Sequence, residues 1–269
     1  MLRSMYSGVS GMRGFQTKLD VIGNNIANVN TVGFKSGRVM FKDVMSQTVA
    51  GVTAPSETQG GVNAKQIGLG VSIGSIDTIH LGGSAMTTHE PTDLRIDGDG
   101  FFLVKMTEDQ DIPYLTRAGD FHVDADKNLV TSDGFFVCDE SGGPIKIEGV
   151  AFSIAQDGTI IQKQDDGTTE QDVKIGIGKV VNPEGLEKIG GNLYRMTVNA
   201  NPDGALDPTT ANNAEAGTGA IIAGQLEMSN VDLTGEFTEM IVAQRGFQAN
   251  SRIITTSDEV LQEVVNLKR

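Results

Sequence analysis

The chain has no tryptophan and a single cysteine, Cys138. A lone thiol excludes an internal disulfide framework and a cysteine-built zinc site. Aromatic residues make up 5% of the sequence and apolar residues 38%, both low for a compact enzyme. No apolar run approaches the roughly 18 residues that a membrane-crossing helix needs, so no membrane insertion is expected. The opening MLRSMYSGVS lacks an apolar core and a cleavage site, so no conventional secretory signal is expected. Basic residues are scarce. The 21 Lys and Arg against 35 Asp and Glu leave a net charge of −14, with the bases dispersed, which argues against nucleic acid as a partner. Glycine is abundant instead, at 34 of 269 residues. That length allows one large domain or two modest ones.

The strongest pattern lies at the end. Leu233, Met240, Phe247, Ile254 and Leu261 recur at seven-residue steps, with Phe237 and Val265 on the flanking heptad position. Gln244, Ser251 and Asp258 interrupt that flank. The spacing predicts a helix from Leu233 to Leu267, roughly 50 Å long, with a stripe too thin to bury itself. One comparable stretch exists, at the other end. Met5, Met12, Leu19 and Ile26 form one seven-residue series, Phe15, Ile22 and Val29 a second, and Leu2 and Val9 extend the face. Gly8, Gly11, Gly14 and Gly23 lie inside it, each costing about 1 kcal/mol against Ala. Asn24, Asn25 and Asn28 add to the cost, so this helix is marginal alone and needs packing, on the C-terminal helix or on other subunits.

Between the ends the chain reads as strands and turns. Strand-like alternation runs through 70–81, 114–123, 128–137, 144–147, 152–154, 159–162, 173–181, 194–198 and 220–228. Turn chemistry at Asp126-Lys127-Asn128, Ser132-Asp133-Gly134, Asp157-Gly158 and Asp165-Asp166-Gly167 separates them, and Asp97-Gly98-Asp99-Gly100 reads as a hairpin. The expected fold is α+β. Terminal helices pair as a coiled-coil-like inner domain, and a mainly-β sandwich or barrel hangs from them on extended linkers. The expected divisions are 1–32 (first helix), 33–70 (linker with a short helix near 41–47), 71–198 (β domain), 199–231 (loop and return strand) and 232–269 (last helix, capped by Ser229 or Asp232). The bland alternative is a two-helix layer closing an ordinary globule.

No constellation of catalytic type stands out. Asp124, Asp126 and Asn128 start like a calcium loop, but Leu129 replaces the required glycine and Phe135 the bidentate glutamate. Asp97 and Asp99 can be read as paired carboxylates for hydrolysis, but Asp-Gly suits a turn better. His80, His89 and His122 have no metal-ligand spacing. Cys138 reads as a small half-buried residue, with reaction toward a neighbouring subunit the sharper alternative. No enzymatic role, cofactor or metal is expected.

The residues do resemble a known family. DVIGNNIANVNTVGFK (residues 20–35) resembles the N-terminal signature of bacterial flagellar rod and hook proteins, carried by Asn24, Asn25, Ala27, Asn28, Gly33, Phe34 and Lys35. LRIDGDGFF, YLTRAGDF and NLVTSDGF continue the likeness. The stretch 226–267 resembles the C-terminal signature, including Ser229, Asn230, Val231, Gln244 and Arg245. Phe34-Lys35-Ser36-Gly37, the run from Met240 to Arg245 and the ending VNLKR resemble the hook form. The short middle resembles the distal rod form. The resemblance implies a hook subunit, polymerising into a flexible tube that passes torque from rod to filament. The distal rod protein is the alternative, and a secreted binding module or adhesin a remoter one. It also implies self-association into a helical homopolymer, contact with other axial proteins (distal rod, hook cap, hook–filament junction), and export through the flagellar type III apparatus without a cleaved signal, to the extracellular flagellum.

Overall fold

A computed structural model describes residues 2–55, 60–107, 110, 112–149, 151–164, 168–202, 204, 206 and 208–267. The expected turn at Asp165-Asp166-Gly167, the side chain of Leu2 and the final Lys268-Arg269 lie outside the described residues. The chain forms two compact units. Unit 1 holds 1–27, 37–78 and 232–269; unit 2 holds 28–36 and 79–231.

Unit 1 contains both long helices, α1 (Leu2–Ala27) and α2 (Leu233–Leu267), as the heptads predict. Asp232 opens α2: its carboxylate accepts from Thr234 N–H at 3.0 Å and its carbonyl from Glu236 N–H at 2.9 Å. The rest of unit 1 departs from the expected linker. Gly37–Asp43 is a strand, paired antiparallel with Val71–Thr78, and Gln47–Ala50 pairs with Lys65–Ile67. No helix forms over 41–47. Phe41 instead lies opposite Ile73 in the strand pair, and this cross-strand partner decides its state over local propensity.

The glycines of α1 have a packing role that periodicity does not show. A methyl group on Gly8 would touch Ile254 at 3.4 Å, one on Gly11 would meet the Asn250 amide at 2.9 Å, and one on Gly14 the Phe41 ring at 2.8 Å. Across the seam, a methyl on Gly246 would meet Phe15 Cζ at 2.6 Å. These glycines let the antiparallel helices and the adjoining ribbon approach closely, which offsets their cost in helix propensity.

Unit 2 is mainly β. Its largest sheet runs Glu187–Gly190, Leu193–Arg195, Tyr114–Thr116, Phe101–Lys105, Phe136–Val137, Leu129–Thr131, Phe121–Val123, all antiparallel. Ile177–Gly178 branches from Phe101–Lys105 and pairs onward with Pro208–Thr209. A three-stranded sheet holds Ala151–Ile154, Thr159–Lys163 and Thr169–Lys174. Among the described residues the strand path is open, so no closed barrel forms.

The strand Phe101–Lys105 organises the core because both of its faces are buried. Phe102 and Val104 enter one cluster with Leu129, Ile145, Ile160 and Ile221. Phe101 and Leu103 enter a second with Leu115, Cys138, Tyr194 and Met196. The period-2 alternation of a strand divides the side chains this way.

Hairpins occur at Lys127 (φ 63°), Gly134 (φ 82°) and Gly158 (φ 81°), where turn residues were expected. Asp97–Gly100 is not one. Leu94–Asp97 pairs with Ala220–Ala223, whereas Phe101–Lys105 belongs to the large sheet, so the segment is a crossover between sheets. Gly98 (φ 121°) and Gly100 (φ 136°) adopt backbone that other residues avoid, and a methyl on Gly98 would sit 2.9 Å from Gly219 Cα. The return stretch 220–228 is two strands, Ala220–Ala223 and Gln225–Glu227, broken at Gly224.

Candidate assembly interface

On α2, Met240, Ile254 and Leu261 are half-buried, whereas Leu233 and Phe247 are more than a third exposed. Phe237 (51%) and Val265 (64%) face outward. The companion line to the Met240 series is Glu236, Ala243, Asn250 and Ser257, one residue away from the flank that hydrophobicity suggested. These are small or polar residues, which is why an apolar count overlooks them. On α1, Ile22 is buried, and Met5, Met12, Leu19 and Ile26 are half-buried; Val29 follows the helix and is half-buried as well. Lys18 and Glu239 pair across the helices.

Two asparagines of the signature stretches tie backbone together. Asn25 is buried, donates to Gly37 C=O at 2.8 Å and accepts from Gly37 N–H at 3.0 Å. It also donates to Glu236 Oε1 at 3.0 Å. One amide thus links α1, the strand Gly37–Asp43 and α2. Burial raises the Glu236 pKa, with the Asn25 bond opposing. In unit 2, Asn230 accepts from Ser36 N–H at 2.8 Å and donates to Ile79 C=O at 2.8 Å. Asn24 and Ala27 are exposed, and Asn28 accepts from Thr31 Oγ1 at 3.1 Å. Ser229 is buried, its hydroxyl accepting from the backbone N–H of half-buried Val231. Gln244 and Arg245 are exposed.

Unit 2 hides an ion cluster that sequence reading met only in part. Lys35 Nζ, fully buried, donates to Glu227 Oε1 at 2.5 Å and to Leu81 C=O at 2.8 Å. Glu227 Oε2 lies 3.3 Å from Arg117 Nη1, and Oε1 also accepts from Gly83 N–H at 3.0 Å. Arg117 Nη2 donates to Gly98 C=O at 2.8 Å, and its guanidinium lies 5.2 Å from the Phe101 ring centre. Gly33 (φ 69°) donates to Glu227 C=O at 2.8 Å, and a methyl there would strike Ala118 N at 2.5 Å. Phe34 is buried beneath Lys188 Nζ, 4.9 Å from its ring centre. Burial alone would raise the Glu227 pKa, but Arg117 and Lys35 outweigh it and hold the carboxylate below its usual range. Burial lowers the Lys35 pKa despite Glu227. Partial burial pushes half-buried His80 down to about 4, with the positive charges of Lys35, Lys188 and Arg117 adding to the shift. Glu227 and Arg117 had one usable signal: each is a charge inside a run otherwise apolar or small.

Asp124, Asn128 and Asp97 make local contacts. Asp124 and Asn128 close a hairpin turn, with Asp124 N–H donating to Asn128 C=O at 2.9 Å. Asp97 pairs with Arg95 at 3.2 Å. Cys138 is fully buried, not half-buried, and burial pushes its thiol up to about 11, which removes the reactive-thiol alternative.

Three family models match the chain. They describe a flagella basal body rod protein (residues 5–35), the D1 domain of the flagellar hook protein FlgE/F/G (95–162) and the C-terminal region of the flagellar basal body rod FlgEFG protein (222–267). The flagellar basal-body rod protein FlgG of Bacillus subtilis is 56% identical over 271 residues, covering 100% of both chains. The chain belongs to the flagellar rod and hook protein family. The FlgG of Caulobacter vibrioides is 34% identical, covering 99% of this chain and 100% of its own. The flagellar hook protein FlgE of Borreliella burgdorferi is 28% identical over an alignment of 449 residues that covers both chains fully.

The flagellar rod and hook family is structural, not enzymatic, and this member is an axial structural component of the flagellum. The seam on α1 and α2 falls within the terminal rod models, and Arg117 within the D1 model. Among the described residues no helix is long and apolar enough to cross a membrane.

Proposed function

We propose that the chain is a subunit of the distal rod, the drive shaft beneath the hook, and that it works by polymerising with copies of itself and docking onto other axial proteins. Collinearity carries this reading. The chain aligns end to end with rod proteins of its own length, at 56% identity in one case. Hook relatives align only over 449 or 471 positions, far beyond these 269 residues, and at 28% identity. The hook reading therefore gives way to the rod reading, because the hook-like motifs are short and terminal.

The mechanism is mechanical. Unit 1 keeps large apolar side chains in water: Phe237, Ile241, Val242, Ile253, Val260 and Val264 on α2, and Met40, Met45, Val49 and Ile76 on the ribbon. That surface favours lateral packing of copies into a tube. Helices that gain packing on assembly suit a monomer delivered unfolded through the flagellar export apparatus without a cleaved signal. The test is electron microscopy of basal bodies from a strain lacking the gene. Loss of the distal rod together with the hook supports the reading; a complete rod lacking only the hook overturns it.

A further inference from the structure

Two rows of exposed residues on the helices carry charge. On α1, Arg3, Tyr6, Val9 and Arg13 follow one another at steps of three and four, on one exposed line. Gly8, Gly11 and Phe15 face α2, so this line occupies the opposite half of the helix. Tyr6 is 73% exposed. On α2, Val260 and Val264 form an exposed pair one turn apart, and Glu259 and Glu263 form the adjacent row. Among the described residues, none of these four charges enters an ion pair.

The two rows match. One is apolar with arginine at each end. The other is apolar with glutamates alongside. We propose that they are the two halves of one contact between copies, the α1 row of one subunit lying on the last third of α2 of the next. This rests on the rod-subunit reading and names the surface through which it acts. Each apolar pair would leave water on contact, and the opposite charges would favour this pairing over a contact between like-charged rows.

The test is charge exchange between chains in a strain lacking the gene, with rods counted by electron microscopy. One plasmid carries R3E/R13E, the second E259K/E263K, and a third all four changes in one chain. Each double variant alone is expected to give no rods, and co-expression to restore them to at least half the wild-type count. Far-ultraviolet circular dichroism of each purified monomer, expected to match wild type, separates lost contact from lost fold. The inference is overturned if either double variant alone builds rods at the wild-type level. It is equally overturned if the four-fold variant assembles while co-expression does not, since that locates the pairing within one chain. If the unaltered gene restores hooks to a strain whose rods were already complete, the rod-subunit reading fails instead.

Discussion

The two units solve the burial problem in opposite ways. Among the described residues only two of the buried apolar side chains, Ile22 and Ala243, belong to unit 1; the others lie in unit 2. Unit 2 has a double-faced core strand, ring contacts such as Phe102 with Phe121 at 5.1 Å, and a buried ion cluster. Unit 1 has glycine-lined close approaches and an outer surface still rich in valine, isoleucine and phenylalanine. One unit is finished by its own residues. The other has the surface of a part made to be covered.

The sharpest way to break this contrast is to damage the finished unit. Glu227→Ala leaves Lys35 and Arg117 buried without their shared counter-charge. It should destabilise unit 2 by about 3–5 kcal/mol, read as a drop in the denaturant midpoint. Phe102→Ala, which opens the main core, should cost about 3–5 kcal/mol by the same measurement. Gly246→Val puts branched carbon where Phe15 sits and should cost the helix pair about 1–3 kcal/mol, leaving the unit 2 midpoint unchanged. A shared loss from this last change would show that the units melt as one. Phe237→Asp, on an exposed site, should leave monomer stability within about 0.5 kcal/mol of wild type and still block assembly, scored by sedimentation.

The smallest effect is a pH slope. The His80 pKa lies near 4 when folded, against 6.5 as its ordinary value, so the unfolded chain binds the proton more readily. His80 therefore costs no stability above about 6.5, and stability falls as pH drops from 6.5 toward 4. His80→Gln should flatten that part of the curve, measured as midpoint against pH.

Much of this contrast was legible in the sequence, for identifiable reasons. Seven-residue steps gave both helices, and Asp232 gave a start. Turn residues at Lys127, Gly134 and Gly158 marked true hairpins, since each needs a positive φ. Other features depended on distant partners. The seam line of Ala243 and Asn250 is small and polar, so hydrophobic periodicity passes over it. The strand at 37–43 exists because 71–78 lies beside it, and Asp97–Gly100 failed as a hairpin because Ala220–Ala223 takes its first strand. Lys35 and Glu227 are 192 positions apart, and neither announces the other.

Amide hydrogen exchange, comparing dilute monomer with assembled rods, bears most directly on whether neighbours complete unit 1. Amides of Leu2–Ala27 and Leu233–Leu267 should exchange fast in the monomer and slow by at least a hundredfold in rods, while those of Phe101–Lys105 stay protected in both. Equal protection of the two helices before and after assembly would contradict it.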